Sequence, residues 1–228
     1  VYLFGESFGG IMCLALAHKL GEYIDRVVIV NPASSFGNSV WPAAGPLLTQ
    51  LPSDVYKLLP FALAPLMSNP LAMAMNDVDT RSPLVNQASD LMYSLLDLAP
   101  QLAALRLVLP AETLAWRLEL LKQGSGYVNS RLKEVKQRVL VIAADKDLLI
   151  PSNEEAERLG KRLPRCRTRI LKDRSHSLLQ EAGVDLVQII QVRLGGPTGE
   201  VGSSMQRGAM MGGQTWRWLF GWRTCSMW

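Results

Sequence analysis

Apolar positions along this chain fall into short blocks whose spacing changes from one block to the next. Val1-Tyr2-Leu3-Phe4 is an apolar run that predicts a strand, and Gly5 to Gly10 predicts a tight turn. Ile11 to Leu20 carries apolar residues at helical spacing, with Gly21 as its stop. Val27-Val28-Ile29-Val30 and Val139-Leu140-Val141-Ile142 are continuous apolar runs, the signature of strands buried on both faces of a parallel sheet. Ser152 followed by Glu155 fits a capping box and opens a helix to about Leu163. Thr168 to Leu171 reads as a short strand, Lys172 to His176 as a loop, and Leu178 to Gln191 as a final helix. This alternation is the α/β pattern of a mostly parallel sheet.

Between the second and third strands lies a long insertion, from about Ser34 to Glu134. It begins with Pro and Gly punctuation and continues with helical spacing over Ser89 to Leu98 and Ala111 to Lys122. The expected organisation is a core segment at 1–33, a helical cap at 34–134, a second core segment at 135–191 and a tail at 192–228. Leu58 to Met75 is the most apolar stretch. Pro60, Pro65 and Pro70 break it, so it reads as an interfacial or lid segment and not as a membrane span. The tail alternates Gly and Trp with no regular period, which predicts disorder or non-native sequence, or else a contact with a membrane surface. Val1 already looks like the inside of a strand, so the chain is expected to be a fragment.

Composition narrows the picture. With 48% hydrophobic and 19% charged residues, the chain has globular composition. The net charge of +4 comes mostly from the tail, where Arg193, Arg207, Arg217 and Arg223 face one acid, Glu200. The body therefore lacks the grouped basic residues of a nucleic-acid partner. Three separated cysteines read as reduced thiols, and only two histidines argue against a metal site; no cofactor is expected.

The chemistry concentrates at a few positions. Gly5-Glu6-Ser7-Phe8-Gly9 is a G-x-S-x-G element set between a strand and a helix, the context a nucleophile elbow requires. It points to an α/β-hydrolase fold with Ser7 as nucleophile and the Phe8 N–H as an oxyanion donor. A serine hydroxyl needs a base. His18 lies within the helix after the elbow, whereas His176 lies in a loop after a strand, so His176 is the expected base. The acid should fall between them in the chain, and Asp147 is preferred to Asp145 and to Asp173. His176 and Glu181 also approximate the H-x-x-x-x-D spacing of glycerolipid acyltransferases, with glutamate in the aspartate's place; that reading is set aside.

Four segments carry a resemblance. Leu3-Phe4-Gly5-Glu6-Ser7-Phe8-Gly9-Gly10, Asn31-Pro32-Ala33-Ser34-Ser35-Phe36-Gly37, Asn129-Ser130-Arg131-Leu132 and Pro151-Ser152-Asn153-Glu154-Glu155-Ala156-Glu157-Arg158-Leu159 resemble the plant and algal esterase/lipase/thioesterase family, which includes the phytyl ester synthases of chloroplasts. The likeness runs from Val1 to about Gln191. It implies an acyl-lipid or acyl-thioester donor and an apolar alcohol acceptor of the phytol or diacylglycerol type. It also implies a chloroplast setting with plastoglobule or thylakoid association, and Ser7, Asp147 and His176 as the triad. The chain departs from the family at Ser175, where glycine is common, and in the tail, which does not resemble the family's acyltransferase-like region. The loop for a second oxyanion donor is expected upstream of Val1. A cap rich in Leu, Met and Pro favours transfer to an alcohol over hydrolysis, with Met67, Met73 and Met75 as candidate substrate contacts. The remaining alternatives are an ester hydrolase or thioesterase and an inactive truncated product.

Overall fold

In the computed structural model, residues 1–194 are described, and Val1–Leu194 form one unit. Within it, Tyr2–Glu6 (β1), Arg26–Val30 (β2), Arg138–Ala144 (β3) and Cys166–Leu171 (β4) pair in parallel in the order β1-β2-β3-β4. Every residue of β2, and all of β3 after Arg138, is buried. That is why both read as unbroken apolar runs instead of alternating ones. The outer strand β1 differs, with Tyr2 and Phe4 exposed.

Helices follow in the order Phe8–Lys19 (α1), Trp41–Leu48 (α2), Ser53–Tyr56 (α3), Leu59–Met67 (α4), Pro70–Ala74 (α5), Leu84–Val108 (α6), Ala111–Arg131 (α7), Ser152–Arg162 (α8) and Leu186–Leu194 (α9). Successive strand residues point to opposite faces. Val27, Ile29, Val139 and Val141 join Ile11 and Leu14 of α1, Val128 of α7 and Leu159 of α8 in the larger core. Val28, Val30, Leu140 and Ile142 form the smaller one with Leu178, covered by Ile189 and Ile190 of α9. Helices α2 to α7 lie in the insertion, and α3–α5 is a bent apolar pair, Ser53–Met67 and Pro70–Asp77, with an 82° break. Among the described residues, no single helix is long and apolar enough to cross a membrane.

The periodic segments at Ser89–Leu98 and Ala111–Lys122 lie in α6 and α7 as helical spacing implies, and both helices run beyond them where they pack onto neighbouring helices. Several sequence expectations need correction. No helix spans Leu178 to Gln191. Leu178–Gln180 is a single 3-10 turn, Gly183 takes a positive φ of 78°, and Asp185 then accepts from the Gln188 N–H at 2.8 Å to start α9. That helix runs to Leu194, three residues into the stretch read as tail. The rest of the tail, 195–228, lies outside the described residues. The capping box at Ser152 is also absent: Pro151 holds the N-cap position, and the side chains of Ser152 and Glu155 are engaged elsewhere.

Candidate active site

The turn after β1 is built around Ser7, which has φ 53° and ψ −114°, a costly conformation for a residue with a Cβ. Three backbone hydrogen bonds hold it there. The Ser7 N–H donates to Val30 O at 2.9 Å, and the Ser7 carbonyl accepts from Gly10 and Ala33, each at 3.0 Å. The glycines contribute unequally. A Cβ at Gly5 would lie 2.3 Å from the Gly9 carbonyl oxygen, and one at Gly10 would lie 2.8 Å from Pro32 Cβ, so both positions need glycine for close approach. A Cβ at Gly9 would meet nothing within 4 Å. Of the motif's two glycines only Gly5 is needed for close approach of the helix, and Gly10, just outside the motif, is needed as well. Phe8 opens α1, so its N–H is one of the first-turn donors that lack an acceptor within the helix.

The loops after β3 and β4 bring two further side chains to Ser7, at the C-terminal rim of the sheet. His176 Nε2 lies 3.0 Å from Ser7 Oγ, and His176 Nδ1 lies 2.7 Å from Asp147 Oδ2. Both members of the His176–Asp147 pair are buried. Asp147 Oδ1 accepts from the N–H groups of Leu149 at 2.9 Å and Ile150 at 3.1 Å, and its Oδ2 also accepts from the Ser152 hydroxyl. With its carboxylate held from four sides, Asp147 fixes Nδ1 as the protonated nitrogen, which leaves Nε2 free to accept from Ser7. Asp145 is turned aside, accepting from the Arg174 N–H at 3.4 Å and lying 3.7 Å from Lys172 Nζ. Asp173 is exposed and faces Lys146. His18 is distant from the site, bonded to Tyr127 and Glu134.

Three residues that the sequence reading left without a role complete the surroundings. Asn31, fully buried with φ 40°, donates to the His176 carbonyl at 2.6 Å and accepts from the Ala144 N–H at 2.8 Å. It ties the ends of β2 and β3 to the histidine loop; its position just after an apolar strand was the available signal. Ser175 gives its N–H and hydroxyl to the buried Glu181, which also faces Arg174 at 3.5 Å, so Glu181 braces the loop. Glu6 is pushed up to about 7 by burial; the nearby His176 and a hydrogen bond from the Leu179 backbone oppose the rise, and Asp147 adds to it. One Glu6 oxygen, Oε1, is buried without a hydrogen-bond partner.

The insertion meets this loop at the break between α4 and α5. The Ser177 N–H donates to Met67 O at 2.9 Å, the Asn69 N–H donates to Ser175 Oγ at 3.1 Å, and the Ala182 N–H donates to Ala72 O at 2.9 Å. Met67 is thereby brought to the histidine loop, while Met73 and Met75 are half-buried in and just after α5. A groove of about 360 Å³ lined by Arg138, Arg165, Arg167 and Arg193 opens at the N-terminal rim of β3 and β4, the end of the sheet away from Ser7. Among the described residues, no group of three His, Cys, Asp or Glu side chains is arranged to hold a metal ion.

The chain is 38% identical over 192 residues to phytyl ester synthase 1, chloroplastic, of Arabidopsis thaliana, a match covering 84% of this chain and 27% of that protein. It is 29% identical over 197 residues to phytyl ester synthase 2, chloroplastic, of the same plant, covering 84% of this chain and 28% of that one. The chain thus spans just over a quarter of the length of these curated relatives. Among solved structures, an α/β hydrolase enzyme from a Medee basin deep-sea metagenome library superimposes with a TM-score of 0.51 at 19% identity, covering 78% of this chain and 58% of that one. The enol-lactonase of Burkholderia xenovorans LB400 gives 0.51 at 22% identity, covering 76% and 57%. A family model described as alpha/beta hydrolase fold matches residues 1–182. The chain belongs to the alpha/beta hydrolase fold family.

Proposed function

We propose that the chain carries a serine-dependent acyl-transfer site in which Ser7 is the nucleophile, His176 the base and Asp147 the residue that orients it. The observation that carries this reading is the hydrogen-bonded series from Ser7 Oγ through His176 to Asp147. Ser7 Oγ attacks the carbonyl of an acyl donor as its proton passes to His176 Nε2. The negative oxygen of the tetrahedral intermediate is met by the Phe8 N–H. The intermediate collapses, the leaving group takes the proton from His176, and the acyl group remains on Ser7 as an ester. An alcohol then gives its proton to His176 and attacks that ester, releasing a new ester and restoring Ser7.

The names of the Arabidopsis relatives support a lipid alcohol such as phytol as acceptor and a chloroplast setting. Diacylglycerol is the alternative acceptor, and apolar cap residues such as Met67 beside the histidine loop are suited to contact with an acyl chain or an isoprenoid alcohol. Ester or thioester hydrolysis is the second reading, favoured by the partial exposure of Ser7 and Phe8, which lets water reach the acyl-enzyme.

A fluorophosphonate probe tests the nucleophile. Labelling of the chain that disappears in Ser7→Ala supports the reading, and labelling that persists in Ser7→Ala refutes it. An acyl donor supplied with phytol in water then separates phytyl ester from free fatty acid as product.

A further inference from the structure

Glu6 ends β1 in register with Val30, so its side chain points to the same face of the sheet as Phe4, Val28, Val30 and Ile142. That face is apolar and is covered by Leu178, Leu179, Ile189 and Ile190. A carboxylate is out of place there. It is nevertheless attached to the elbow, one residue before Ser7, whose hydroxyl meets His176 Nε2 at 3.0 Å. Glu6 thus sits directly behind the elbow that presents Ser7 to His176, and it keeps Oε1 buried and unpartnered.

We propose that Glu6 is a positioning residue for the Ser7–His176 pair, a second carboxylate whose negative charge favours the imidazolium formed when Ser7 gives up its proton. This rests on the triad reading given above. Asp147 already supplies one negative charge from the Nδ1 side. Glu6 acts from the apolar face behind the elbow, and low-polarity surroundings leave its field poorly screened. The charged groups that face it are His176 and Asp147. Neighbouring elements add little: the 3-10 turn Leu178–Gln180 has no charged residue, Glu181 is paired with Arg174, and the only charge on α9, Arg193, lies at the far rim of the sheet. The charge on Glu6 appears only as pH rises through about 7, so the elbow holds a group that changes state in the neutral range, separately from the histidine.

The test uses the whole chain and the rate constant for fluorophosphonate labelling of Ser7, measured from pH 5 to pH 9 on wild type, Glu6→Gln and Glu6→Asp, with circular dichroism to confirm that each variant is folded. The wild-type rate is expected to rise with pH more steeply than a single ionisation allows, with one component near pH 7. Glu6→Gln should rise as a single ionisation to a plateau roughly tenfold lower, and Glu6→Asp should restore part of the second component. A folded Glu6→Gln variant whose profile keeps the wild-type shape, whatever its overall rate, overturns the proposal. A wild-type chain that does not label at Ser7 overturns the triad reading instead, so the two failures are distinct.

Discussion

Replacing Glu6 with glutamine should change how stability depends on pH, by an amount that follows from where the carboxyl sits. Burial raises Glu6 from 4.5 to about 7 in the folded chain. Below pH 4.5 the group is protonated whether or not the chain is folded. Between 4.5 and about 7 the folded chain holds a proton that the unfolded chain has released, so stability falls as pH rises, by about 1.4 kcal/mol for each pH unit. Above about 7 the loss is complete and totals about 3 kcal/mol. Glu6→Gln has no such ionisation and avoids this loss. Urea unfolding of both proteins at pH 5 and pH 8 reads the effect, because titrating groups other than Glu6 and its neighbours His176 and Asp147 are shared and cancel in the comparison. The variant's stability relative to wild type should improve by about 2.5 kcal/mol between the two pH values, seen as a shift in midpoint at constant slope. A relative stability that moves by less than about 0.5 kcal/mol would refute the claim that the carboxylate is desolvated.

The elbow glycines make a paired prediction. Gly5→Ala sets a methyl against the Gly9 backbone and should cost more than about 3 kcal/mol or prevent folding, whereas Gly9→Ala has room and should be neutral or stabilising by up to about 1 kcal/mol in thermal melts. Asn31→Ala removes the bond to the His176 carbonyl and leaves the Ala144 N–H buried and unpaired; unfolding experiments should show a loss of about 2–4 kcal/mol, with slower labelling of Ser7 in the chain that remains folded. Asp147→Asn keeps the size of the side chain but not its charge, and should lower the labelling rate by roughly 10³–10⁴-fold through the wrong imidazole tautomer. Burial pushes the Cys166 thiol up to about 11, so its alkylation by iodoacetamide at pH 7.5 should be slow and should accelerate on denaturation.

What the sequence made legible was whatever depends on local pattern. The β2 and β3 runs announced buried parallel strands because nothing but apolar side chains fits between two covered faces. The turn around Ser7 was readable because strand, glycine and helix must follow one another at fixed spacing to hold a serine at positive φ. The choice of Asp147 over Asp145 was an expectation from loop position, and the structure brings Asp147 to His176 and turns Asp145 away. The misreadings share one cause. Ser152 and Glu155 match a capping box, but their side chains go to Asp147, and to Ser34 and Arg158, partners distant or mis-spaced for a local motif. The role of Asn31 was not legible because its partners lie more than a hundred residues away. Glu6 fills an unspecified position of the G-x-S-x-G element, and the apolar face it points to is recorded by no local pattern.

The hydrogen bonds from the α4–α5 break to Ser175, Ser177 and Ala182 bear on how this scaffold can be re-engineered. An insertion exchanged as a cassette over 34–134 would sever them and remove part of what holds the histidine loop. Chimeras built to alter substrate choice therefore need paired seams, carrying 66–72 and 175–182 from the same parent. In evolutionary terms the two stretches should behave as one inherited unit, although about a hundred residues of chain separate them.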